Sequence, residues 1–150
     1  MSDPVTFASA SPRVTLPLLF GGQAQKEVFI NEALSRIDAL LHPAVEGEME
    51  TSPVTPSDGD CWIVGLNPTG EWEGHANDIA CFQAGNWLFV SPLEGMSVYD
   101  KSLSQKSYFN GSWQRASSIS PPTGGSTEDI EARAAIAALI AVMTQAGILA

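Results

Sequence analysis

The stretch Gln23–Leu41, QAQKEVFINEALSRIDALL, is the longest in this chain with one clean period. Ile30, Ala33, Leu34, Ile37, Leu40 and Leu41 recur at the i, i+3, i+4, i+7 spacing of a single helix face. Asn31, Glu32, Ser35, Arg36 and Asp38 fall mostly on the opposite side, where they are expected to face water. Gly21-Gly22 opens the segment and Pro43 closes it, because a proline ring disfavours helical backbone in the residue before it. Two readings follow. Either this amphipathic helix lies on the core of the body, or its stripe packs against copies of itself or a neighbouring protein.

On the N-terminal side, residues 1–22 carry Pro4, Pro12 and Pro17 and end in the apolar patch LPLLF. Nothing here is periodic, so the expectation is an extended arm whose Leu16, Leu18, Leu19 and Phe20 need a partner surface. On the other side, Pro43–Asp60 holds five acids, no bases and three prolines, which suits a connector with one edge strand around Met49–Val54. From Gly59 to Ala116 short strand-like runs (CWIV, DIACF, WLFV, MSVY, KSYF) alternate with Gly, Asn and Pro. Phe82-Gln-Ala-Gly85-Asn-Trp87 and Tyr108-Phe-Asn-Gly111-Ser-Trp113 share the form aromatic-x-x-Gly-x-Trp, and Gly70-Glu-Trp72 repeats its second half. Glycine supplies the positive φ of a tight turn, which predicts a meander of three hairpins with Gly-x-Trp corners.

Ser117–Thr127 is a Ser/Pro/Gly linker. Helical periodicity then returns from a Ser126/Thr127 cap to Gly147, with Ala132, Ile136, Leu139, Met143 and Ala146 stepping 4-3-4-3 as a short coiled-coil seam. The fold class is therefore α+β: an extended arm (1–22), a long amphipathic helix (23–42), a small antiparallel β domain (43–116), a linker (117–127) and a C-terminal helix (128–150). Ile30, Leu34, Ile37, Leu41, Ile136, Leu139 and Met143 are the candidate oligomerisation residues.

At 150 residues the chain is of one-domain length, and its apolar fraction of 44% is ordinary. No run is long enough to cross a bilayer, and residues 1–14 do not read as a secretory signal. A net charge of −10 with only seven basic residues argues against nucleic acid and against an anionic membrane. Cys61 and Cys81 are too few and too separated for a metal site, and His42 and His75 complete no ligand spacing with them. Both lie in apolar runs, so buried unbridged thiols are expected, with a disulfide between adjacent strands as the alternative in an extracellular particle. His42 is placed to suit the helix C-terminus, Asp58 and Asp60 are read as turn residues, and Glu71 and Glu73 as solvated acids. No nucleophile elbow, phosphate loop or dinucleotide fingerprint is present, so no enzyme activity and no cofactor are expected.

The chain resembles a family found in prophages and gene transfer agents of alphaproteobacteria, catalogued as a domain of unknown function. The likeness runs from Leu16-Pro17 through Gln23-Ala-Gln-Lys26, Asn31-Glu-Ala-Leu34 and Ile37-Asp-Ala-Leu40. It continues at Gly59-Asp60, Trp62-Ile-Val64, Gly70-Glu-Trp72, Gly74, Ile79-Ala80 and Phe82, and closes with Gly85-Asn-Trp87, Phe89, Pro92, Gly95 and Gly111-Ser-Trp113. The resemblance implies a virion component of the head-spike or fibre kind, assembled in the bacterial cytoplasm and linked to host surface polysaccharide. The expectation is a self-assembling structural protein, a trimer first and a pentamer second, docking on capsid or tail proteins. The alternative is a small glycan-binding module in which exposed Trp72 and Trp113 stack on sugar rings, with Trp87 serving as core.

Overall fold

The computed structural model describes residues 10–19, 26–125 and 129–149. These hold two α-helices and eight short strands in two small sheets, an α+β fold, and the chain divides into two compact units at Pro92/Leu93. Gly21-Gly22, Gln23–Gln25, Phe20 and the Ser126/Thr127 cap, all used above, lie outside the described residues.

In the first unit, helix α1 (Lys26–Leu41) is followed by the two-residue strand β1 (Ala44–Val45) and then by β2 (Glu48–Thr51), β3 (Cys61–Thr69), β4 (Ile79–Gln83) and β5 (Asn86–Val90). The last four form a sheet in the order β2-β3-β4-β5. β3 and β4 pair antiparallel, as do β4 and β5, but β2 runs parallel to β3, so the expected all-antiparallel meander is corrected to a mixed sheet. The acid-rich connector supplies that edge strand, all four of its residues exposed. β4 and β5 are joined through Ala84-Gly85, both at positive φ (50° and 77°), the backbone of a tight two-residue hairpin turn.

Gly70-Glu71-Trp72 makes no hairpin. It is a single 3-10 turn, entered with Gly70 at φ 65°, and it folds Trp72 inward. Trp72 is fully buried, with ring centroids 6.4 Å from Trp62 and 5.1 Å from Trp87. Val64 and Ala80 complete this core, and Trp87 and Phe89 cover it from the edge strand. The expected assignment of Trp72 to the surface is therefore corrected, while Trp87 is half-buried against this core. β5 ends the sheet, where Trp87 packs edge to face on Trp62, Trp72 and Phe82 and its indole N–H donates to Glu71 Oε2 at 3.1 Å.

In the second unit β6 (Ser97–Asp100), β7 (Gln105–Phe109) and β8 (Trp113–Arg115) form an antiparallel run. Phe109 and Trp113 face each other across the Asn110–Ser112 turn with their rings edge to face, 5.3 Å apart. Val98 and Ser107 alternate inward while Tyr99, Lys106 and Tyr108 alternate outward. Helix α2 (Ile130–Gln145) starts from Asp129, whose carboxylate accepts the Ala132 N–H at 2.8 Å, so the cap is Asp129. It ends in a Schellman turn: Gly147 at φ 67° donates to Thr144 O, and Ile148 N–H to Met143 O. The chain then returns to the sheet, where Lys106 N–H donates to Gly147 O and Leu149 is buried.

Truncating Trp72 to alanine removes the centre of the indole cluster and is expected to cost about 3–5 kcal/mol. Urea unfolding should show a lower midpoint with an unchanged slope. An unaltered midpoint would contradict the central position of this ring.

Candidate functional site

The arm has a definite place. Residues 10–17 form a small turn closed by an Ala10–Pro17 bridge and by Ser11 N–H donating to Leu16 O at 2.9 Å. Its anchor is Asp38, 2% exposed, on the side of α1 expected to face water. Asp38 Oδ1 accepts from Ser11 Oγ (2.6 Å) and Val14 N–H (2.7 Å), and Oδ2 accepts from Arg13 N–H (3.0 Å). A buried carboxylate is tolerated only with such donors around it. Arg13 then reaches the C-terminal end of α1, donating to Ala39 O and His42 O at 2.9 Å each. This arginine places a cation on the last carbonyls of the helix. Farther along, Leu19 N–H donates to Asn31 Oδ1 and Asn31 Nδ2 donates to Leu19 O. The expectation of an arm without intrachain contacts is corrected for residues 10–19.

Docking the arm on the Asn31/Asp38 side leaves the apolar stripe of α1 outward. Phe29 (77% exposed), Ile30, Ile37 and Leu41 (55%) are solvent-facing, and Leu34 and Leu40 are half-buried. Of the arm residues put forward for attachment, Leu16 and Leu18 are half-buried and Leu19 is exposed. On α2, Ile136 and Leu139 of the proposed seam are exposed together with Ile130 and Val142, and Met143 is half-buried.

Of the two glycan candidates, Trp72 is enclosed in the core and cannot offer a face, and Trp113 is half-buried beside Phe109. The second unit does present aromatic rings elsewhere. Tyr108 pairs with Ser97 on one side and Gln114 on the other, and Tyr99 pairs with Lys106, all five exposed. Lys106, Tyr108, Gln114, Arg115, Ala116 and Ile148 line a hollow of about 400 Å³. Buried Asp100 is held by Ser102 and the Leu103 N–H, with the lining residue Arg115 at 3.3 Å.

The remaining candidates are structural in their contacts. His75 stacks on Phe89 (3.6 Å, 6° between planes) and its Nδ1 lies 2.9 Å from Asp78 Oδ2. Asp58 accepts from Ala84 N–H and Asp60 from Ser57 N–H, both as turn residues. Glu71 is engaged by Trp87 and Ser52. Among the described residues no group of three His, Cys, Asp or Glu side chains is placed to hold a metal ion, and no helix is long and apolar enough to cross a membrane.

A mixed four-stranded sheet with an indole core, an arm latched to a helix, and a small antiparallel run of strands in the other unit define an α+β fold. The chain belongs to the family described as "Protein of unknown function (DUF2793)", which matches residues 30–114, more than half of its length. No curated protein and no solved structure matches the chain.

Replacing Asp38 with alanine withdraws three hydrogen bonds from the arm, each to a charged group contributing about 1.5–3 kcal/mol. Trypsin cleavage after Arg13 should then accelerate by about tenfold or more, since it follows the population of the opened arm. Cleavage at the wild-type rate would show that Asp38 does not hold the arm.

Proposed function

We propose that this protein is a structural component of a phage or gene-transfer-agent particle, a head spike or fibre or the base of one, that assembles through copies of itself. The observation that supports this reading most is the outward apolar stripe of α1. Phe29, Ile30, Ile37 and Leu41 form an aliphatic and aromatic strip on a helix whose polar side is already taken by the arm. Covering each such side chain is worth about 1.5–3 kcal/mol. A second copy carries the same strip at the same concentration, which is why self-association is preferred over a foreign partner. Trimers suit fibres and are the first expectation; pentamers suit capsid vertices and come second. In the second unit, Ile136 and Leu139 of α2 are also exposed and Met143 is half-buried, so α2 offers an apolar strip of its own for assembly. Docking on capsid or tail proteins is assigned to the arm and its LPLLF patch. In this reading the work of the chain is mechanical, it requires no cofactor, and its place is the virion.

A second reading, glycan binding, is favoured by the face of Tyr99, Lys106, Tyr108 and Gln114. Two exposed phenols, an amide and an ammonium beside a 400 Å³ hollow are the groups that stack on sugar rings and hydrogen-bond their hydroxyls. Sites of this kind bind weakly one at a time and gain avidity from the copies on one particle.

Light scattering of the full-length chain should return an oligomer, and Ile37→Glu should convert it to monomer without altering its near-ultraviolet circular dichroism. A wild-type chain that stays monomeric on concentration would sink the assembly reading. For the second reading, Tyr108→Ala should lower adhesion to capsulated cells with its Tm unchanged, and undiminished adhesion would count against it.

A further inference from the structure

The two cysteines are direct cross-strand neighbours. Cys61 on β3 pairs with Cys81 on β4, both buried and not joined in a disulfide. Their position within the ladder follows from the hydrogen bonds around them. Phe82 N–H donates to Asp60 O at 2.9 Å, and Val64 N–H donates to Asp78 O at 2.9 Å. Residues 60 and 64 therefore sit at hydrogen-bonded positions, and Cys61, one step from residue 60, sits at a non-hydrogen-bonded one. There the two Cα atoms of an antiparallel pair lie about 4.5 Å apart, with side chains on the same face. That separation is within the range a disulfide spans, about 4.4–6.8 Å.

What covers the pair is the arm. Arg13 Nη1 lies 3.5 Å from Cys61 Sγ while its other bonds run to Ala39 O and His42 O. A Cβ placed on Gly59 would meet Pro12 at 3.1 Å and Arg13 Cγ at 3.2 Å, so the arm's turn lies directly on the strand entry beside Cys61. A hydrogen bond made by the protonated Cys81 thiol with Cys61, and after it burial, push the Cys81 thiol up, while the charge of Arg13 acts the other way. With the arm latched, the pair is covered and the Cys81 thiol is held protonated.

We infer that Cys61 and Cys81 are a reversible cross-strand disulfide site, oxidised when the turn around Pro12 and Arg13 lifts from β3 and thereafter locking β3 to β4. The oxidant is a small-molecule disulfide such as oxidised glutathione. Cys61, as its thiolate, attacks one sulfur of that disulfide and expels one small thiolate. Cys81 loses its proton and attacks Cys61 Sγ in the mixed disulfide, expelling the second. Two protein thiols and one external disulfide become one internal disulfide and two external thiols, which take up the two protons. The same pair stays reduced in a thiol-rich cytoplasm and closes in an oxidising exterior.

The test incubates the full-length protein with oxidised glutathione and counts thiols after unfolding, with intact mass alongside. The expected product is a chain with no interchain cross-link that lacks two hydrogens, with no glutathione retained and a raised urea midpoint. Cys61→Ser and Cys81→Ser should each abolish it. Arg13→Gln, which loosens the arm, should oxidise several-fold faster. Charge alone predicts the opposite, because losing the guanidinium leaves the Cys81 thiol still harder to ionise. Two persistent thiols in the wild type, or stable glutathione adducts alone, would overturn the site. An Arg13→Gln rate equal to or below that of the wild type would overturn the gating by the arm. Should Arg13→Gln prove poorly folded, Val14→Pro, which deletes one N–H donor to Asp38, carries the same expectation.

Discussion

The Asp38 carboxylate decides which way the first helix faces. It sits nearly inaccessible in the middle of the α1 C-terminal half and receives three donors from one four-residue turn of the arm. Burying such a group without those donors would be prohibitive, so the helix and the arm fold as a pair or leave the carboxylate in water. Once the arm claims the polar side, the apolar stripe has nowhere to go but outward. Arg36 adds a further hold on the sheet, donating to Phe89 O at 3.2 Å while paired with Glu32. Exposure of Phe29, Ile37 and Leu41 is thus a consequence of where the polar groups were satisfied.

The sheet beneath depends on a different device. β3 is buried along Cys61–Gly65, on both faces, and the 3-10 turn at its far end brings Trp72 back over the strand. Three indoles then meet at tilted or edge-to-face angles, an arrangement that aromatic quadrupoles favour. The Trp72 N–H finds no partner among the described residues, which marks the turn's position as set by packing of the ring. In the second unit the balance differs: Asp100, Gln105 and Ser107 are buried polar residues around a short antiparallel run, and α2 has no buried residue of its own.

Much of this was legible from the residues. A helix ending at Leu41 and one ending before Gly147 were legible, and the edge strand was read from an acidic, proline-spaced connector. The orientation of α1 was not legible, because hydropathy reports which side is apolar and says nothing of which side is covered. The covering group, Ser11–Val14, lies some 25 residues away in a stretch without periodicity, and only Asp38 inside an otherwise solvated face hints at it. Trp72 was misplaced for a related reason. Glu71, Glu73, Gly74 and His75 around it are polar, yet a single 3-10 turn points one side chain in and its neighbours out. Tyr108 opens one of the Gly-x-Trp repeats, yet nothing in that motif joins it to Tyr99; their common face arises from strand alternation and register.

The latch also bears on how such sequences diverge. Asp38 lies inside the stretch matched by the family, whereas Ser11 and Arg13 lie before it. A carboxylate at position 38 and its donors around positions 11–14 are one interaction divided across that boundary, so they are expected to covary. A lineage that discards the turn inherits a helix whose most buried acid has lost its donors. It must then neutralise position 38, supply new donors, or roll the helix so that the acid returns to water and the aliphatic stripe goes under. The last of these would withdraw the aliphatic stripe, the proposed assembly face, from the surface through the loss of a four-residue turn.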